Sequence, residues 1–191
     1  LDADVAGRDE LCLGPGLALQ IAEKCGNPRV HRQFERDRAD ALGGPALART
    51  IASCRGVCND VVIVSTALFD EDKEAFKGLG RVVDLPWNFV FLHGYGSLSQ
   101  QGVPAAKNDW CLLLGTGETF AEPFIDVHRV LKREDPHVFY RCNHVNDPYT
   151  WKRVWNRTGG VHWSGIMHEE LTGGTDGGLM FRMQDTEKEP R

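Results

Sequence analysis

Two short apolar runs constrain this chain more than anything else in it. Asp60-Val61-Val62-Ile63-Val64-Ser65 and Asp109-Trp110-Cys111-Leu112-Leu113-Leu114 each carry an unbroken apolar stretch behind a polar residue. Neither run alternates polar with apolar residues, so neither offers a face to water. Strands of this kind are buried on both sides, as in a parallel sheet covered by helices. Around them the pattern alternates. Ala46 to Arg55, behind Pro45, sets Leu47, Ile51 and Cys54 on one helical face. Asp70 to Leu79 reads as a polar helix stopped by Gly80. Arg81 to Leu85 is a strand closed by Pro86-Trp87, and Ser97 to Ala106 is a weak helical stretch opposed by Pro104. Pro123 to Arg133 places Phe124, Val127, Val130 and Leu131 on a helix face. Val138 to Cys142 is a strand, and Leu179 to Met183 is a final one. Trp151 to Trp155 and Val161 to Trp163 read as paired strands joined at Arg157-Thr158-Gly159-Gly160. Leu11 to Ile21, with Gly14-Pro15-Gly16 inside it, suits a short strand followed by a helix start.

Strands alternating with helices predict an α/β sandwich with a mostly parallel central sheet and a late β-hairpin. A chain of 191 residues suits one core. We place a polar lead-in at 1–10, a single domain at 11–184 and a polar tail at 185–191. The first residue is Leu1 rather than Met, which suits a processed or incomplete product. The charged stretch from Val30 to Asp40 mixes both signs and reads as a solvated face.

The formal net charge of −5 argues against nucleic acid as a partner, because phosphate contacts need basic surface. No apolar run reaches the roughly 20 residues of a membrane span, and no signal-peptide pattern opens the chain. Six cysteines are scattered without a C-x-x-C pair, which suits buried free thiols and a reducing compartment. Nothing else in the sequence indicates a location. Asn156-Arg157-Thr158 is a glycosylation sequon that matters only in a secreted protein.

Ligands of open α/β sheets bind beyond the carboxyl ends of the strands. That puts Ser65-Thr66-Ala67 and Gly115-Thr116-Gly117-Glu118 at one rim. The run from Asp109 to Glu118 resembles the D-W-hydrophobic-L-D-A-D-E stretch of family 2 glycosyltransferases. Leu47 to Val64 resembles their first helix and second strand, and Val82 to Trp87 their next strand. Trp151 to Asn156 followed by Val161 to Leu171 resembles a late hairpin and the W-x-G-x-x-H-E-x-L motif of a bacterial branch. That last block is the most specific, and the resemblance covers roughly 45–172. It implies a GT-A fold: a three-layer sandwich that binds a nucleotide sugar.

The departures fall on the site. The two Asp positions that hold Mg²⁺ or Mn²⁺ in the family are Gly115 and Gly117, leaving Glu118. Leu1-Asp2-Ala3-Asp4 spells the acidic motif with no strand to fix it. Of the D-T-G-S-T-D stretch after the second strand, Thr66 and Asp70 remain as substrate-side candidates. Arg141, Lys152, Arg153 and Arg157 are the available cations. Lys152 and Arg153 should point to opposite faces, so one of them meets the cleft.

Glu118, His168 and Glu169 are the candidate catalytic residues, and Arg153 and Trp163 join Thr66 and Asp70 on the substrate side. Each has a structural alternative. Glu118 is either a base or the first charge of a following helix. His168 is a metal ligand, a base or a structural histidine. Glu169 orients an acceptor or pairs with Arg153. Trp151, Trp155 and Trp163 stack on a sugar or pack in the core. Gly173 to Gly178 reads as a flexible turn, not a phosphate loop. Two functions follow. One is a degenerate, non-catalytic glycosyltransferase-like domain, needing no cofactor and serving a protein partner or larger assembly. The alternative is a divergent transferase moving a sugar from a nucleotide sugar to a hydroxyl, with Mg²⁺ or Mn²⁺ only if other ligands rebuild the site.

Overall fold

The computed structural model describes residues 17–22, 44–66, 76, 78–86, 88–123, 127, 131–132, 135–145, 149–166 and 169–185. The strands are β1 (Leu17–Ala22), β2 (Cys58–Thr66), β3 (Arg81–Leu85), β4 (Trp110–Gly115), β5 (Glu118–Pro123), β6 (Val138–His144), β7 (Thr150–Asn156), β8 (His162–Ser164), β9 (Glu170–Thr172) and β10 (Thr175–Asp185). Helix α1 spans Gly44–Ser53 and α2 spans Phe89–Gln101. The lead-in, the charged stretch from Val30 to Asp40, Asp70, Met167, His168 and the end of the tail lie outside the described residues. So does most of the two helices expected at Asp70–Leu79 and Pro123–Arg133. Phe76, Val127 and Leu131 are described from them and are helical and buried. Among the described residues no helix is long and apolar enough to cross a membrane.

The main sheet runs β3-β2-β1-β4-β7-β6-β10-β5, and β8 pairs with β9 in a separate two-stranded sheet. β3, β2, β1 and β4 are parallel to one another. β7 is antiparallel to β4 and to β6, β6 is parallel to β10, and β5 is antiparallel to β10. The sheet is therefore mixed, where a mostly parallel one is expected from the sequence. The expected pairing of Trp151–Trp155 with Val161–Trp163 is also corrected. Both edges of β7 are taken by β4 and β6, and Val154 and Trp155 are wholly buried, so β7 is an interior strand. The late hairpin is formed by β8 and β9 instead.

The two apolar runs are buried on both faces, as their composition requires. Ile63, Leu112 and Leu114 turn toward one core with Leu47 of α1 and Cys54 just beyond it. Val62, Val64, Cys111 and Leu113 turn toward another with Leu98 of α2, Trp163 of β8 and Leu171 of β9. The described part is thus three layers: α1, the sheet, and α2 with the β8–β9 hairpin.

Connectivity also fixes the curvature of the sheet. Thr116 and Gly117 alone separate β4 from β5, yet β5 lies four strands away in sheet order. Four spacings in a flat sheet are about 19 Å, and a link from Gly115 to Glu118 reaches at most about 11 Å. The strands from β4 to β5 must therefore roll, bringing β5 back over the face that α1 covers. The roll encloses Tyr140, Cys142, Val154, Phe181 and Met183.

Candidate functional site

The strand order reverses between β1 and β4, with β2 and β3 extending one way and β4 the other. Beyond the carboxyl ends at such a switch point is where ligands enter open α/β sheets. The register aligns Ala22 with both Val64 and Gly115. Thr66 and the Gly115–Glu118 turn therefore share this rim. β6 runs parallel to β4, so His144, Val145 and exposed Tyr149 lie at the same end.

The turn is short and tightly held. Gly117 has φ 91°, a conformation an Asp at this position would adopt only with strain. A Cβ at Gly115 would stand 3.5 Å from the Glu118 carboxylate. The Gly117 amide donates to Thr50 Oγ1 at 3.1 Å, and the Phe120 amide donates to Ser53 Oγ at 3.0 Å. Ser53 in turn donates to the Thr50 carbonyl at 2.7 Å. Sequence reasoning missed Thr50 and Ser53 as site supports. Their signal is a pair of hydroxyls three residues apart on one helix.

Glu118 opens a strand rather than a helix, so its expected alternative as a helix-terminal charge is corrected. One carboxylate oxygen accepts from the Gly115 amide at 2.6 Å, and the other accepts from the Arg153 guanidinium at 3.0 Å. The two side chains are 20% and 14% exposed, so the pair is largely withdrawn from water. Arg153 reaches it through a β-bulge. Tyr140 pairs with Val154 and Arg141 with Lys152, leaving Arg153 as the extra residue. Arg153 and Val154 thereby face the α1 side together, while Lys152 faces the other. Burial pushes the Cys142 thiol far up, with Arg153 drawing it partly back.

The remaining candidates are divided by the sheet. Lys152 donates to Glu170 at 2.8 Å and to the Leu171 carbonyl at 3.0 Å, and its ammonium sits 4.9 Å from the Phe139 ring centroid. Its hydrogen bond holds the Glu170 carboxyl below the usual range. Glu169 stands just before β9, and Arg153 bonds the Glu118 carboxylate. Arg141 bonds Asp176, and Arg157 lies 3.4 Å from Asp109. Trp163 is buried edge-on against Trp155, with centroids 5.5 Å apart at 86°, so the contacts support packing for both rings. Trp151 meets His144 edge-on at 6.3 Å. Thr66 is buried at the end of β2, and Asp70 and His168 lie outside the described residues. Among the described residues no group of three or more His, Cys, Asp or Glu is arranged to hold a metal ion.

No family profile and no curated protein matches the chain. Among solved structures, TarS of S. aureus superposes with a TM-score of 0.50 at 8% identity, covering 87% of this chain and 36% of TarS. A nucleotidyl transferase from Methanothermobacter thermautotroptrophicus gives 0.41 at 19% identity, covering 66% of this chain and 62% of that one. Glucosyl-3-phosphoglycerate synthase from Mycobacterium tuberculosis, in complex with Mn²⁺, UDP and phosphoglyceric acid, gives 0.38 at 11% identity, covering 69% and 44%. The chain thus spans less than two thirds of the length of each. Together with the layer order and the rim, the likeness to TarS shows the fold, which is GT-A-like.

Proposed function

We propose that this chain is a GT-A-like domain of the family 2 type whose metal-holding apparatus has been dismantled, and that it serves as a structural or binding unit. One observation carries the reading. The carboxylate that remains at the Gly115–Glu118 turn is folded back onto the Gly115 amide and joined to Arg153. Transfer from a nucleotide sugar requires a stabilised diphosphate leaving group, which a divalent ion on carboxylate oxygens supplies when bound. Gly115 and Gly117 provide no side-chain oxygen, and a guanidinium already neutralises Glu118. These residues do not fit Mg²⁺ or Mn²⁺. Losing one preorganised stabilising group costs about 3 kcal/mol, over a hundredfold in rate. The stretch from Trp163 to Leu171 supports the family 2 assignment. On this reading the partner is another protein or a larger assembly.

A second reading is favoured by Arg153 itself. A bulge brings its guanidinium to the acidic-motif turn, and guanidinium recognises phosphate oxygens well. A divergent, metal-independent glycosyltransferase acting on a hydroxyl acceptor would use that group on the diphosphate. Calorimetric titration with UDP and with GDP, each with and without excess Mn²⁺, separates the readings. The expected result is no heat in any of the titrations. Metal-independent binding that Arg153→Met abolishes would put the second reading first. Metal-dependent binding would overturn this account of the turn.

A further inference from the structure

We infer that Cys54 and Cys58 are a redox couple, which a peroxide closes into a disulfide at the corner between α1 and β2 and thereby tightens the Gly115–Glu118 turn. Both are free thiols; Cys54 is buried and Cys58 half-buried. The Cys58 amide donates to the Cys54 carbonyl at 2.9 Å, closing a five-residue turn in which Gly56 has φ 91°. A turn closed by such an i→i+4 bond holds its two ends near each other, as a disulfide with its Cα separation of roughly 4.4–6.8 Å requires. Ser53 Oγ lies 3.8 Å from the Cys54 sulfur.

The two thiols have unequal characters. Hydrogen bonds from Cys58, first, and from Ser53 lower the Cys54 pKa against the opposing effect of burial. The same contact, with burial, raises that of Cys58. Within the proposed couple Cys54, next to Ser53, is assigned the role of nucleophile. As thiolate it attacks one oxygen of hydrogen peroxide; the O–O bond breaks and hydroxide leaves. The Cys58 sulfur then attacks the Cys54 sulfenic acid. The S–O bond breaks, the S–S bond forms, and the hydroxyl departs with the Cys58 proton as water. Two electrons and two protons leave the thiols, and the peroxide becomes two waters.

The corner connects directly to the rim. Ser53, next to Cys54, holds the Phe120 amide, and Thr50 holds the Gly117 amide. Fixing Cys54 to the first residue of β2 restrains the end of α1 that carries both hydroxyls.

Peptide mapping of the full chain tests this, after treatment with stoichiometric hydrogen peroxide and alkylation. Arg55 lies between the two cysteines, so trypsin separates Thr50–Arg55 from Gly56–Lys73. The expected product is that peptide pair joined, two hydrogens lighter, with neither cysteine alkylated. Two alkylated thiols, Cys54 over-oxidised alone, or Cys58 joined to another cysteine would each overturn the couple. Hydrogen exchange reads the coupling: the Gly117 and Phe120 amides should exchange severalfold more slowly in the oxidised protein. Equal rates in the two forms would refute the link to the turn.

Discussion

Glu118 and Arg153 are the residues on which the reading of the rim depends, and their pairing makes a quantitative prediction. Glu118→Ala leaves the Gly115 amide without its acceptor and a mostly buried guanidinium without its partner. That should cost about 2–3 kcal/mol in urea unfolding. Arg153→Ala removes the same ion pair from the other side. The double variant should therefore lose less than the sum of the single losses, with a coupling of about 1–2 kcal/mol. Additive losses would falsify the pair. The sequence marks Glu118 as the carboxylate left beside two glycines, and it names Arg153 among the available cations. It hides their meeting. Strand alternation correctly separates Lys152 from Arg153 but carries no sign of a bulge that turns Arg153 and Val154 to one face. Thr50 and Ser53 are hidden for a related reason: hydroxyls on a helix read as solvent-facing until a loop arrives to use them.

At the scale of elements, legibility follows how local the cause is. α1, β2, β3, β4 and β6 carry their own apolar pattern and stand close to where that pattern puts them. β1, a single short strand between β2 and β4, lies within an apolar stretch whose glycines and proline obscure its limits. β5 and β9 are short and polar, and they are strands because a neighbour supplies the ladder. The start of α2 is a further case, since Phe89 to His93 looks like anything but a helix followed by glycines. Gly94 breaks the helix at φ 81°, and the chain passes so close to the β8–β9 hairpin that a Cβ would meet the Ile166 Cα at 2.5 Å. The Tyr95 and Gly96 amides then donate to the Ile166 and Gly165 carbonyls, each at 3.1 Å. Gly94→Ala should accordingly cost about 2 kcal/mol or more, from strain and from contact together. Its denaturation midpoint, compared with that of an alanine at exposed Gly78, measures the effect. Equal midpoints would show that α2 and the hairpin are not docked as described.

For the molecule as a whole, the rolled sheet concentrates its interior on both faces of a few strands, and that interior holds thiols. Cys111, near the start of β4, has no exposure, and burial pushes its pKa up to about 12. Cys142, enclosed in the roll, is raised as well, again by burial first. In the unfolded chain a thiol ionises near pH 8.5. Below that pH both states hold the proton and the full stability is present. Above it the unfolded state releases protons that the folded state keeps, so stability falls as pH rises, for Cys111 between about 8.5 and about 12. Each such thiol should cost about 2 kcal/mol at pH 10, since one pH unit in that window is worth about 1.4 kcal/mol. Urea unfolding at pH 7.5 and pH 10 measures the total, and Cys111→Ala measures one share. The variant will be less stable at pH 7.5 because it leaves a small cavity, yet it should lose less between the two pH values than the parent does. A variant with the parent's full alkaline loss would mean that Cys111 reaches water in the folded protein. The double-sided burial of β4, and with it the three-layer arrangement that carries the rim, would then have to be abandoned.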